Sequence, residues 1–451
     1  MSQTINASNL HSTILRKIFQ TTILADLTDQ MTPTIVLHPP NSGPIPLLED
    51  EFRLPTHESI IRTALDLSHV CSQWRESAVG SPELWKRVYL SNRACTSEGL
   101  IAMTELMLAR TDKLGLSLDV DFTDRRPFLR PRIVKRDKQN IVRLLSSCVN
   151  RCHSLRVDGS HSAIKLALDV WIQHNTMVQI CGLGSATPLT QLHIVQSEDR
   201  PMTLDYTFFL RKIAPHVVSF RSRRANISGY PFGEDSMMRE IVLEDVPVSP
   251  AVYRQVLSVS NAVNVILRRI EIGVPLAFKK MLTIGLSPSL TTSLKLEDIR
   301  CDSEAKARAY SEFLLSTIIC SVQELEFSDM ETFKAWLSFI SVFSEIVPSH
   351  YEALNRVRKL TLRKVPIKGS KGGGDKLFAL TQVLPNLETL VMQDMKLAGD
   401  VLVAMWRWGE VNGKTVWPAL NQVVMNGRLL ERKTIDPYEG EFLVDYGMLH
   451  V

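Results

Sequence analysis

From about residue 140 onward, apolar residues recur in one short pattern, at relative positions 1, 4 and 6 and often 9. Met238/Ile241/Leu243/Val246, Ala262/Val265/Leu267/Ile270, Val322/Leu325/Phe327/Met330, Val357/Leu360/Leu362/Val365 and Leu387/Leu390/Met392/Met395 carry it in full. Thr291/Leu294/Leu296/Ile299 departs only at its first position. Cys152/Leu155/Val157, Leu189/Leu192/Ile194, Val218/Phe220 and Leu420/Val423/Met425 are less complete. Positions 4 and 6 flank one residue of the opposite face, which is strand spacing. A unit this small cannot bury its apolar side alone, so it must stack, strand beside parallel strand, against its neighbours. Intervening segments read as helices. Tyr310, Phe313, Leu314, Thr317 and Ile318 share one face, Phe333, Trp336, Leu337, Ile340, Phe343 and Val347 another, and Ser249-Pro250 opens a third. The expected body is an α/β solenoid with a parallel sheet over residues 92–428, followed by a C-terminal tail over 429–451.

Residues 1–91 follow another pattern. Asn9 can cap a helix to about Leu24, on which Ile14, Leu15, Ile18 and Phe19 form an apolar stripe. Residues 25–57 hold Pro33, Pro39, Pro40, Pro44, Pro46 and Pro55, which rules out a regular helix there and predicts an inserted surface loop. A second helix is expected over about 57–78, with Leu67, Val70, Cys71 and Trp74 on one face. Gly80 can end it. Ser81 can cap, and Pro82 open, a short third helix that reaches Leu84 and Trp85. Val88-Tyr89-Leu90 then begins a strand, Ser97 to Arg110 a helix, and Leu114, Leu116, Leu118 and Val120 alternate as a strand. Two tryptophans in so short a stretch must pack on something N-terminal, on a partner, or both.

The string Val70-Cys71-x-x-Trp74-Arg75, then Ser81-Pro82-x-Leu84-Trp85 and a strand, resembles the second half of an F-box, in particular the F-box-like proteins of mushroom-forming fungi. Ile18-Phe19 matches the Ile-Phe pair of the first F-box helix, while Leu10-His11 stands where that helix usually opens Leu-Pro. The repeats resemble the irregular leucine-rich repeats that follow the F-box in that family. Regular leucine-rich repeats carry Asn or Cys at the ninth position, where the side chain bonds neighbouring backbones. Here Ser160, Ser197, Val246, Ile270, Ile299, Met330, Val365 and Met395 occupy it, which predicts variable repeat geometry.

The resemblance implies an α+β chain: an N-terminal three-helix F-box-like module over 1–91, then the solenoid. It implies an adaptor rather than an enzyme, with no cofactor. The F-box would dock on a Skp-type adaptor, and through it on the cullin scaffold of a RING ubiquitin ligase, while the repeats hold a protein substrate. The implied adaptor-binding residues are Leu10, Ile14, Leu15, Ile18, Phe19, Leu67, Val70, Cys71, Trp74, Leu84 and Trp85, some of which must instead hold the helices together. A second reading is a non-catalytic scaffold whose N-terminal helices only cap the solenoid, since solenoids need caps. A third is an enzyme whose site the sequence does not reveal.

The residue after the second strand hydrophobe of each unit should face away from the core. That series includes Arg221, Glu244, Arg268, Glu297 and Arg363, the candidate substrate residues of a concave face. The first four alternate in sign. Neighbouring strands then either pair opposite charges side by side, or present a stripe to a partner of mixed charge. Nucleic acid is not expected, because the two glutamates would meet phosphates. A net charge of only +4 points the same way.

Residues 124–138 are basic, and read either as an anionic contact or as a solvated loop punctuated by Pro127 and Pro131. Seven scattered cysteines and no N-terminal apolar leader predict a reducing compartment, cytoplasmic or nuclear. No apolar run approaches the length of a membrane span. The glycine-rich 368–376 lacks the Gly-Lys-Ser/Thr of a phosphate loop and has Asp375 in place of the lysine. Cys181-Gly182-Leu183-Gly184 lacks the third glycine of a dinucleotide fingerprint. Cys148, Cys152 and His153 have no second ligand pair at zinc spacing, so no metal is expected.

Overall fold

A computed structural model describes residues 14–15, 17–19, 21, 65–91, 97–111, 113–123, 135–181, 189–197, 203–205, 216–228, 237–248, 262–272, 291–299, 322–329, 333, 354–364, 384–394 and 417–431. The chain divides into two compact units, 1–200 and 201–451.

In the first unit, helical residues 14, 15, 17–19, 21 and 65–69 precede helix α1 (Ser72–Val79) and a 3-10 turn (Pro82–Leu84). Strands and helices then alternate: β1 (Arg87–Ser91), α2 (Glu98–Arg110), β2 (Leu116–Asp121), α3 (Lys135–Val149), β3 (Cys152–Gly159), α4 (His161–Cys181) and β4 (Gln191–Gln196). The four strands are parallel and pair in sequence order, as helical crossovers allow. Every second residue is buried: Val88 and Leu90 on β1, Leu116, Leu118 and Val120 on β2, Leu155 and Val157 on β3, Leu192 and Ile194 on β4.

The expected helix over 57–78 is broken. Cys71 is extended (φ −159°, ψ 173°) and α1 starts after it, so Val70 and Cys71 do not continue the face of Leu67. Local chemistry accounts for the break. Ser68 and Val70 are weak helix formers, the Ser68 hydroxyl donates back to the Leu65 carbonyl, and Arg75 Nε donates to the Ser68 carbonyl at 3.1 Å, ending the first segment. Ser81 is not a side-chain cap either. Its hydroxyl donates to the Ser77 carbonyl at 2.6 Å, while Pro82 does open the turn.

The second unit has β5 (Thr203–Asp205), β6 (Ser219–Arg223), β7 (Asn226–Ser228), β8 (Glu240–Glu244), β9 (Pro247–Val248), β10 (Asn264–Arg268), β11 (Glu271–Ile272) and β12 (Ser293–Glu297). It continues with β13 (Glu324–Phe327), β14 (Lys359–Arg363), β15 (Thr389–Gln393), β16 (Gln422–Met425) and β17 (Arg428–Glu431). β6, β8, β10, β12, β13, β14, β15 and β16 pair in that order, all parallel, the arrangement expected of an α/β solenoid. Short β5–β7 and β9–β11 pairs lie apart from this sheet. The helical faces expected over 249–, 310–318 and 333–347 lie outside the described residues, apart from helical Phe333.

Register corrects the sequence pattern at β6. Phe220 aligns with Ile241, and Ser222 with Leu243. The unit is therefore Val217/Phe220/Ser222/Ala225, all buried, and not Val218/Phe220. Ser222 is polar in a hydrophobe's slot, so hydropathy does not mark it. It satisfies its hydroxyl by donating to the Ala225 carbonyl at 2.9 Å. Thr291, the other polar substitute, donates to the Ala262 carbonyl at 3.0 Å.

The strands of the second unit stay in register from β6 to β16 although the Asn/Cys ladder is missing. A left-handed residue after the strand does the ladder's work: Arg224, Asp245, Arg269, Asp298, Lys364 and Asp394 all have φ between 48° and 58°. The backbone N–H of Arg224, Asp245, Arg269 and Lys364 donates to the last carbonyl of the next strand. The ninth position is thereby free to be a buried hydrophobe, as Val246, Ile270 and Ile299 are.

Residues 428–431, mostly assigned to a tail, form β17, antiparallel to β16. Asn426 (φ 47°) and Gly427 (φ 82°) make the two-residue turn between them. Residues 432–451 and the inserted 25–57 lie outside the described residues.

Candidate functional site

Leu15, Phe19, Ala78, Leu84, Trp85 and Met107 form one buried cluster, with Leu65, Leu67, Trp74 and Met103 packed against it. Trp85 is its centre. The indole N–H donates to the Ala78 carbonyl at 2.9 Å, and the Arg110 guanidinium lies 4.5 Å over the ring. Phe19 meets Trp74 edge to face at 5.1 Å. Burial of side chains this large is worth roughly 2–3 kcal/mol each, so this cluster holds the N-terminal residues on α2.

The eleven residues picked out in the N-terminal stretch thus divide. Leu15, Phe19, Leu84 and Trp85 are core, and Leu67, Cys71 and Trp74 are half-buried. Ile14, Ile18 and Val70 are exposed, at 49%, 38% and 58%. Ile14 and Ile18 stand one helical turn apart, and Leu15 and Phe19, one position on from each, are buried. Leu10 lies outside the described residues.

On the outward side of the second unit's sheet, the charged rows neutralise themselves. Arg268 Nε donates to Glu297 Oε2 at 3.0 Å, and Lys295 Nζ reaches Glu326 Oε1 at 2.9 Å. Glu244 is nearly buried and takes Arg269 NH2, with Arg223 at 3.7 Å. Asp245 lies between Arg269 and Arg223, at 2.7 and 3.2 Å. Burial alone would raise the Asp245 carboxyl, but the two guanidiniums outweigh it and hold the group below its usual range. Arg221 does not share this row. It stands opposite Val242, while Arg223 stands opposite Glu244, and Arg221 instead pairs with Glu240 at 3.2 Å. Of the five candidate substrate residues, then, Arg221, Glu244, Arg268 and Glu297 are engaged in ion pairs with neighbouring strands. Arg363 is held more loosely, Nε to Gln393 Oε1 at 3.1 Å.

The first unit carries a denser polar group on the side of its strands opposite their buried hydrophobes. Arg156 donates to both Asp158 oxygens, at 3.1 and 2.7 Å, and Tyr89 donates to Asp121 Oδ2 at 2.7 Å. Asp119 stands in register between Tyr89 and Arg156. Burial pushes its carboxyl up to about 6, against the pull of Arg156 and Arg87. No sequence motif announced this group, because its members come from three strands.

Cys148 and Cys152 are fully buried. Burial pushes the Cys148 thiol up to about 12 and the Cys152 thiol higher than usual, so neither is a ready nucleophile. Among the described residues, no His/Cys/Asp/Glu group could hold a metal ion, and no helix is long and apolar enough to cross a membrane. The basic residues 125–132 and the glycine-rich 368–376 lie outside the described residues. Compared with known proteins, the sequence matches no family model and no curated protein.

Proposed function

We propose that the chain is a substrate-recognition adaptor of a cullin–RING ubiquitin ligase, with its N-terminal helices acting as an F-box and its repeats holding a protein substrate. The observation that carries this reading is the two-sided first helix. Leu15 and Phe19 are sunk in the Trp85 cluster, while Ile14, Ile18 and Val70 keep apolar surface exposed. A segment serving only as a solenoid cap has no need of exposed isoleucines a turn apart, whereas a docking helix does. The motif strings around Trp74 and Trp85 support the same reading. In it, Leu15, Phe19, Leu84 and Trp85 hold the module together, and Ile14, Ile18 and Val70 meet a Skp-type adaptor. The exposed isoleucines would supply binding energy only when a partner desolvates them.

The capping reading draws on one observation of its own, the packing of that cluster against Met107 of α2. The two roles are compatible. Co-expression with a Skp-type adaptor separates them. The wild-type chain should co-purify with it and I14D/I18D should not, while both remain folded. Equal recovery of the adaptor with both chains, or with neither, removes the ligase reading and leaves the cap.

A further inference from the structure

The outward charges of the second unit come in doublets at the strand ends. Arg223-Arg224 closes β6, Glu244-Asp245 closes β8, Arg268-Arg269 closes β10 and Glu297-Asp298 closes β12. Each doublet is flanked by its opposite, and the ion pairs between them leave little charge to spare.

The alternation lapses around β14. β13 is followed by Ser328-Asp329 and β15 closes on Gln393-Asp394, so the positions matching Arg363 on both sides are neutral, while Asp329 and Asp394 match Lys364. Arg363 is steadied rather than neutralised. Its Nε donates to Gln393, and its NH2 lies 3.8 Å from Glu326 Oε1, which already receives Lys295 and the Ser328 hydroxyl. An arginine has five N–H donors, so most of its capacity is unspent. Lys364 is exposed, and its ammonium has no hydrogen bond or ion pair among the described residues. Val391, opposite Thr361 and two residues before Gln393, and Val424 beside it on β16 are half-buried and continue the outward side.

We propose that Arg363 and Lys364 are the docking point for an acidic segment of a protein partner, whose carboxylates fill the place left neutral by Ser328 and Gln393. The pre-positioned guanidinium suits a carboxylate, and Val391 and Val424 suit aliphatic residues beside it. The flanking Glu326 and Asp394 would repel the continuous phosphates of a nucleic acid, but leave room for one or two isolated carboxylates. This site deepens the substrate-holding half of the proposed function and does not depend on the adaptor-binding half.

The test uses the full chain without any adaptor protein. Random dodecapeptides displayed on phage are selected against it, and the selected sequences are titrated as fluorescein-labelled synthetic peptides by anisotropy. Asp and Glu should be enriched among them. R363E/K364E should weaken binding roughly tenfold, as should amide replacement of the peptide carboxylates. R363Q/K364Q serves as the milder variant, and thermal melts check folding of both. The proposal is overturned if nothing is selected, if selection shows no acidic preference, or if a folded variant binds as the wild type does. Tighter binding of a labelled single-stranded RNA, lost in the same variants, would assign the cations to nucleic acid instead. Co-purification of the Skp-type adaptor is unaffected by any of these outcomes, so the two readings fail separately.

Discussion

Arg268 on β10 stands directly opposite Glu297 on β12, with Nε 3.0 Å from Oε2. The pair is one tooth of an alternating row. A strand displaced by one unit would set like charge beside like, so the row also specifies which strands are neighbours. R268E should destabilise the chain, and R268E/E297R should recover part of the loss. A double-mutant cycle read by urea melts should give a coupling of about 1 kcal/mol that shrinks in high salt. Zero coupling would mean that the row is a consequence of the fold and adds nothing to it.

Trp85 fills the centre of the N-terminal cluster. Trp85→Ala should cost about 3–5 kcal/mol and expose residues 65–91 to proteolysis ahead of the repeats. Trp85→Phe keeps most of the volume and loses the bond to the Ala78 carbonyl, which is worth about 1 kcal/mol. If W85A melts like the wild type, the cluster does not hold the helices on α2.

Two aspartates should respond to pH with opposite sign. The Asp119 carboxyl titrates near 6 in the fold, above the value of 3.8 for a free side chain. The fold therefore prefers it protonated, and this stability, present in acid, is lost as pH rises through about 6. Asp119→Asn should raise stability at about pH 7.5 by about 1–3 kcal/mol and make little difference in acid, where Asp119 is already neutral. Asp245 is held low by Arg269 and Arg223, so its contribution is present at neutral pH and lost in strong acid. Asp245→Asn should destabilise at neutral pH and become silent once the aspartate is protonated in both states. Urea melts across the pH range read both, and parallel curves for the two variants would contradict the assignments.

What the sequence made legible follows from the physics of each signal. Alternating hydrophobes at Leu243, Leu267, Leu296 and Leu362 located the strands because burial is periodic there. The β6 unit was misplaced because Ser222 is buried on a local hydrogen bond, which hydropathy does not register. The left-handed strand ends went unseen because Arg224, Arg269 and Lys364 adopt a conformation normally advertised by Gly or Asn. β17 did carry a signal, the Asn426-Gly427 dipeptide, which is the strongest short-range mark of a hairpin. In the candidate site, the apolar stripe Ile14/Leu15/Ile18/Phe19 was readable, but its division into buried and exposed members was not. That division depends on where Trp85 packs.

The central claim is tested most directly by isothermal titration of the folded full chain with a purified Skp-type adaptor, beside I14D/I18D. The account predicts a one-to-one complex of micromolar or tighter affinity, weakened at least about a hundredfold in the variant, as expected when two apolar contacts of roughly 1.5 kcal/mol each are removed. No heat of binding from the wild-type chain, or an affinity the variant leaves unchanged, would contradict it.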